Sequence, residues 1–132
     1  MENTIEIKKQ GSKVQTHANK EIARPYFEAM REQAVNGKEF PNGANKAYWA
    51  WYYSDCQGEI VYDNLWEKEV HDFVSAMREA GVGSFIYTDK STALMGNLHA
   101  FVNEGCTISN LVVIEEGEGM WARKHEGIRI SL

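Results

Sequence analysis

The side chains of this chain that could do chemistry fall into a few groups, and each also has an ordinary structural role. The first is the stretch Tyr87-Thr88-Asp89-Lys90-Ser91-Thr92. Its pattern predicts a strand, a turn and the start of a helix. Domains that mix helices and parallel strands often bind ligands just beyond the carboxyl end of a strand. The unpaired N–H groups at the next helix start would suit an anion. Asp89, Ser91 and Thr92 are therefore the candidate ligand-binding residues if the chain is a small enzyme or a ligand-binding domain. Against this, the turn has no glycine to let backbone approach a phosphate, and Asp89 would repel one. Ser91 sits in no Gly-x-Ser-x-Gly elbow. A turn followed by a helix cap is the favoured reading.

The second group is acidic and aromatic. Glu115, Glu116 and Glu118 crowd a short polar segment, with Met120 and Trp121 just after it. An acid/base pair for glycoside chemistry needs its carboxylates across a cleft, not side by side on a loop. A solvated loop is favoured. If the chain binds another protein, these five residues form a candidate contact patch, because tryptophan is enriched at binding hot spots. Tyr48-Trp49-Ala50-Trp51-Tyr52-Tyr53 is apolar all round. Burial in the core is its first expectation. A partner or homodimer interface through Trp49 and Trp51 is the second.

Histidine and cysteine offer little more. His17, His71, His99 and His125 stand in no ligand spacing. Cys56 and Cys106 form no Cys-x-x-Cys pair. No metal site, cofactor or catalytic constellation is predicted.

Charge narrows the partner classes. Nineteen acidic residues oppose 14 Lys and Arg, for a net charge of -5. The basic residues are scattered, so direct nucleic-acid binding is not expected. Nothing apolar approaches the roughly 18 residues of a membrane span, and the first residues do not read as a signal peptide. The expectation is a cytoplasmic protein with two reduced thiols. With 43% hydrophobic and 25% charged residues among 132, residues 1–132 are expected to form a single domain.

The elements that must position these groups follow from periodicity. Thr4–Lys8 alternates, and Lys13–Thr16 would return to it as a hairpin. Asn19 to Asn36 reads as a helix with Ile22, Tyr26, Met30 and Ala34 in line and Phe27 beside them. Pro25 either kinks that helix or begins it. Phe40-Pro41-Asn42-Gly43 reads as a loop, and Tyr48–Tyr53 leans to helix. Ile60–Tyr62 is a short strand. A helix capped by Asp63 or Asn64 then runs to Ala80, with Trp66, Val70, Phe73, Val74 and Met77 as its apolar stripe. Gly81 stops it. Ser84–Thr88 is a strand. The next helix has Leu94, Leu98, Phe101 and Val102 as its core face. Thr107–Ile114 is a strand, Glu115–Gly119 a loop, and Gly127–Leu132 a half-exposed strand.

This order predicts an α/β (α+β) fold: a small layered domain with helices packed on a mixed sheet. It contains one parallel βαβ unit, from Ser84–Thr88 to Thr107–Ile114, and a final antiparallel strand.

The second half also carries a resemblance. Its residues are Trp66…Val70…Phe73-Val74, Ala80-Gly81-Val82, Phe85-Ile86-Tyr87-Thr88, the run Ser91 to Phe101, Glu104-Gly105-Cys106-Thr107 and Gly127-Ile128-Arg129. On these, Trp66 to Leu132 resembles a family of small proteins carried by phages and conjugative elements of gut clostridia. The resemblance implies a mobile-element accessory protein. Many such proteins bind and block host defence machinery, including CRISPR nucleases. The leading expectation is thus a non-catalytic protein-binding protein whose partner is a nucleic-acid-processing enzyme. The alternatives are a small enzyme or ligand-binding domain at the Asp89–Thr92 corner, and a structural homo-oligomer.

Overall fold

The computed structural model describes residues 4–8, 19–55, 58–116 and 119–132. Its strands are β1 (Thr4–Lys8), β2 (Val61–Tyr62), β3 (Ser84–Tyr87), β4 (Thr107–Glu116) and β5 (Arg123–Ser131). Its helices are α1 (Asn19–Val35), α2 (Asn42–Tyr53), α3 (Val70–Glu79) and α4 (Leu94–Asn103). The strands form one mixed sheet in the order β1-β4-β5-β3-β2. The α+β architecture expected from the sequence is the one observed.

β1 is parallel to β4, and β2 is parallel to β3. β5 is antiparallel to both β3 and β4. The βαβ unit β3–α4–β4 is therefore present, but β5 lies between its two strands. β5 lies back along β4 from Glu116↔Arg123 to Thr107↔Ser131, and its other edge takes β3. A second unit, β2–α3–β3, has its strands adjacent. The proposed return strand Lys13–Thr16 lies outside the described residues.

The helices bury one sheet face. Phe85, Tyr87 and Ile130 share a core with Phe27, Trp51, Phe73, Val74, Met77 and Phe101. A chain of edge-on ring contacts runs Phe73–Phe85–Phe101–Tyr87, with centroids 5.2–5.3 Å apart. Such offsets suit the ring quadrupoles. Ile86, Val112 and Ile114 form a separate buried group with Val61. β3 is thus apolar on consecutive residues, as expected of an interior strand.

Several boundaries differ from the sequence reading, while helix α1 starts at Asn19 and runs through Pro25, the first of the two expected readings. Its first turn is tied down from outside: Lys20 N–H donates to the Gly58 carbonyl, and Asn19 Oδ1 accepts from Gly83 N–H at 2.8 Å. The buried line is Ala23, Phe27 and Met30, one step round from the line expected, and Ile22 is exposed. Helix α2 starts at Asn42, so Asn42 and Gly43 are helical rather than loop. Gly43 is required by packing. A Cβ there would lie 2.3 Å from the Glu69 carbonyl oxygen and 2.9 Å from Phe73 N.

Helix α3 begins later than Asp63 or Asn64. A single tight turn, Glu67–Glu69, precedes it. Glu69 Oε1 accepts from Trp66 N–H at 2.9 Å, while Glu69 N–H donates to the Trp66 carbonyl at 2.8 Å. That reciprocal pair holds the start. Trp66 is consequently outside the apolar stripe, which Val70, Phe73, Val74 and Met77 do form. At the far end Gly81 has φ 88° and Val82 N–H reaches the Met77 carbonyl, with Val82 buried. This is the expected left-handed helix stop. Val102 is exposed, and the most deeply buried residues of α4 are Asn97 and Phe101.

Candidate functional site

The first two residues of the expected acidic loop are strand. β4 continues to Glu116 and β5 starts at Arg123, so Glu115 stands opposite Lys124 and Glu116 opposite Arg123. Opposite charges placed across strands in this way attract, so the register sets Glu115 against a base rather than against open solvent alone. Glu118 lies outside the described residues. What the hairpin does present is its tip. Gly119–Trp121 forms one tight turn in which Met120 is 87% and Trp121 78% exposed.

The aromatic stretch divides by helical geometry. Successive residues of α2 turn by about 100°, so a run apolar all round sends some rings inward and others outward. Trp51 is 4% exposed. It stacks on Phe27 at 5.6 Å and donates its indole N–H to the Lys20 carbonyl at 2.9 Å. Trp51 is therefore a core residue and offers no contact surface. Trp49, 43% exposed, stacks at 5.5 Å on the more exposed Tyr53. Lys20 closes the end of the helix by donating its ammonium to the Tyr52 and Ser54 carbonyls. Cations are favoured at that end.

Trp49 and Tyr53 form one wall of a cavity of about 520 Å³. Val61 and Ile114, which belong to the buried group on the sheet face opposite the main helical core, supply apolar lining. The polar lining comes from Ser54, Asp55, Asp63, Thr88 and His125. Asp63 and Thr88 directly follow the carboxyl ends of the parallel strands β2 and β3. His125 lies two residues along β5 from the end that carries the hairpin tip. Asp63, Thr88 and His125 also line an adjoining hollow of about 370 Å³ that reaches Asp89, Lys90 and Ser91.

The Asp89–Thr92 corner thus borders a cleft, but its carboxylate is occupied. Asp89 is buried. It accepts from Ser91 N–H at 2.7 Å and from the Tyr87 hydroxyl at 3.1 Å. Burial pushes its acidity down, yet the Ser91 and Tyr87 bonds outweigh that and hold its pKa below the ordinary aspartate value. Ser91 Oγ accepts from Ala93 N–H at 3.1 Å, so Ser91 serves as a turn and cap residue. Thr92 is exposed beside it and lines neither hollow. Asn97 completes the corner from α4, donating to the Leu65 carbonyl at 2.9 Å and to the Tyr87 hydroxyl at 2.8 Å. Burial, then the Asp89 charge, raises the Tyr87 pKa. This corner is a fixed polar clamp between β3, α4 and the loop before α3.

The remaining ionisable candidates stand apart. His71 Nδ1 is 2.8 Å from Glu104 Oε1, and that hydrogen bond raises the imidazole pKa. His99 is exposed on α4. Cys106 is buried and its thiol pKa is raised by burial. Cys56 and His17 lie outside the described residues. Among the described residues no three His, Cys, Asp or Glu side chains cluster as metal ligands. No described helix is long and apolar enough to cross a membrane.

Sequence reasoning missed the cleft because its described walls come from five separated stretches. Asp63 read as a helix cap and His125 as an isolated ring, and only the sheet order brings them together.

No curated protein matches the chain, and no solved structure does. A family model, Domain of unknown function (DUF7698), matches residues 46–131, which takes in all but the first turn of α2, the elements from β2 to β5 and every described wall of the cleft. The chain belongs to that family.

Proposed function

We propose that this chain is a non-catalytic protein-binding module that engages its partner with the end of the sheet carrying the cleft and the hairpin tip. One observation carries the reading. Of four tryptophans, three are exposed: Trp49 at 43%, Trp66 at 65% and Trp121 at 78%. Large rings left in water forgo burial worth about 1.5–3 kcal/mol each. Tryptophan and tyrosine are also the residues that dominate binding hot spots. Trp121 with Met120 and Trp49 with Tyr53 sit on two elements at the same end of the sheet.

Within this reading the partner is a basic nucleic-acid-processing enzyme of host defence, the version implied by the resemblance of the second half. The net charge of -5 supports it, since an acidic body complements a basic channel. The test compares wild type with Met120→Ala/Trp121→Ala and Trp49→Ala/Tyr53→Ala in co-purification from the native host. A partner identified by mass spectrometry should be lost from the folded variants. Its affinity, measured with purified proteins, should fall steeply as salt rises. Undiminished capture by both variants would remove the reading. Light scattering at low concentration separates a monomeric binder from the homo-oligomer alternative.

A further inference from the structure

The cleft has a chemistry of its own. Its described lining carries two carboxylates, Asp55 and Asp63, and no Lys or Arg. One wall is the stacked pair Trp49–Tyr53. The Lys20 ammonium is held at the cleft's margin by the Ser54 carbonyl, and Lys90 lines the adjoining hollow. Ring faces attract cations, and a guanidinium adds planar stacking to that attraction. Carboxylates match its forked donors at the same time.

We infer that the cleft receives an arginine side chain of the protein partner. The inference rests on the protein-binding reading and names the anchor within it. The guanidinium lies against the Trp49–Tyr53 wall and donates to Asp63. The methylene stem covers the half-buried Val61 beside the already buried Ile114, so the part of the apolar floor that still faces solvent leaves water when the partner docks. Arginine is favoured over lysine because a compact, strongly hydrated ammonium loses more water and cannot stack. A cavity of about 520 Å³ accommodates a long side chain together with the backbone that carries it.

The experiment titrates the labelled full-length protein with a short peptide of alternating arginine and glycine, followed by amide and indole NMR. The same peptide with citrulline, a neutral isostere, and with lysine are the comparison probes. The expected result is shifts at Asp55, Asp63, Thr88 and the Trp49 indole with the arginine peptide, weaker shifts with lysine and none with citrulline. Asp63→Asn should weaken binding about threefold, as for an exposed ion pair. Trp49→Ala should do so to a similar degree. Glu32→Gln, an exposed acid on α1, should leave it unchanged. Binding that survives Asp63→Asn and Trp49→Ala, or maps elsewhere, overturns the inference. If partner capture depends on Met120 and Trp121 but not on Asp63 or Trp49, the arginine anchor is wrong while the protein-binding reading stands. If no partner is captured and free N-acetylarginine amide binds as tightly as the peptide, the commitment to a protein partner is wrong.

Discussion

Asn97 donates its side-chain amide to the Tyr87 hydroxyl at 2.8 Å in the interior, joining α4 to β3. The hydroxyl in turn donates a hydrogen bond to Asp89 at 3.1 Å, and the second amide hydrogen of Asn97 goes to the Leu65 carbonyl. One asparagine thus holds a helix, a strand and a loop together. Its own Oδ1 is buried without a described hydrogen-bond partner.

Breaking this clamp should cost stability without touching any exposed surface. Tyr87→Phe removes the central hydroxyl and should lose about 1.5–3 kcal/mol, the range for a hydrogen bond to a charged group. Asn97→Ala should lose about 2–3 kcal/mol, because the Leu65 carbonyl and Tyr87 hydroxyl each lose their donor. Urea unfolding followed by circular dichroism measures both. An Asn97→Ala protein as stable as wild type would show that water replaces the amide.

Gly43→Ala reverses the usual rule. In an open helix, alanine is better than glycine by about 1 kcal/mol. Here the added carbon would lie 2.3 Å from the Glu69 carbonyl oxygen, a backbone atom that cannot swing aside. The helices must separate, and the expected loss is about 1–3 kcal/mol. A rise in Tm would contradict the observed approach of α2 to α3.

Glu69 should make stability fall in acid. Its side chain is buried and its carboxylate is 2.7 Å from the Lys46 ammonium. Burial alone would raise its pKa. The Lys46 hydrogen bond and the Trp66 N–H outweigh burial and bring it below the ordinary value of 4.5. A pKa lowered by folding means that the stabilisation is complete above about pH 4.5 and is lost as pH falls through the folded value. Glu69→Gln should be less stable at neutral pH, and its stability should vary less between neutral and acid pH. Parallel pH dependence in the two proteins would assign the acid sensitivity to other carboxylates.

The tryptophans should separate by role. Trp51→Ala should lose about 3–5 kcal/mol, because its ring fills the core against Phe27. Trp121→Ala, at the exposed hairpin tip, should change stability by less than about 0.5 kcal/mol. Thermal unfolding of the two variants side by side reads the difference. Trp121→Ala should instead appear in partner affinity.

Local order was determined by the sequence. Apolar spacing and stop signals placed α1, α3 and α4, and β-branched runs placed β3, β4 and β5, because helix and strand periods are properties of neighbouring residues. Gly81 ended α3 for the same local reason: a left-handed residue is cheap only without a side chain. The order of strands was a tertiary matter. Nothing in the periods of Phe85–Tyr87 or Thr107–Ile114 says that β5 will lie between them, since either edge of a strand offers the same backbone groups. Tertiary structure likewise sorted Trp51 into the core and Trp49 out of it, because helix packing selects which side of an all-apolar stretch is covered. The cleft is the furthest from local patterning. Trp49, Asp63, Thr88 and His125 meet only because two parallel strands end together beside a helix and a returning hairpin.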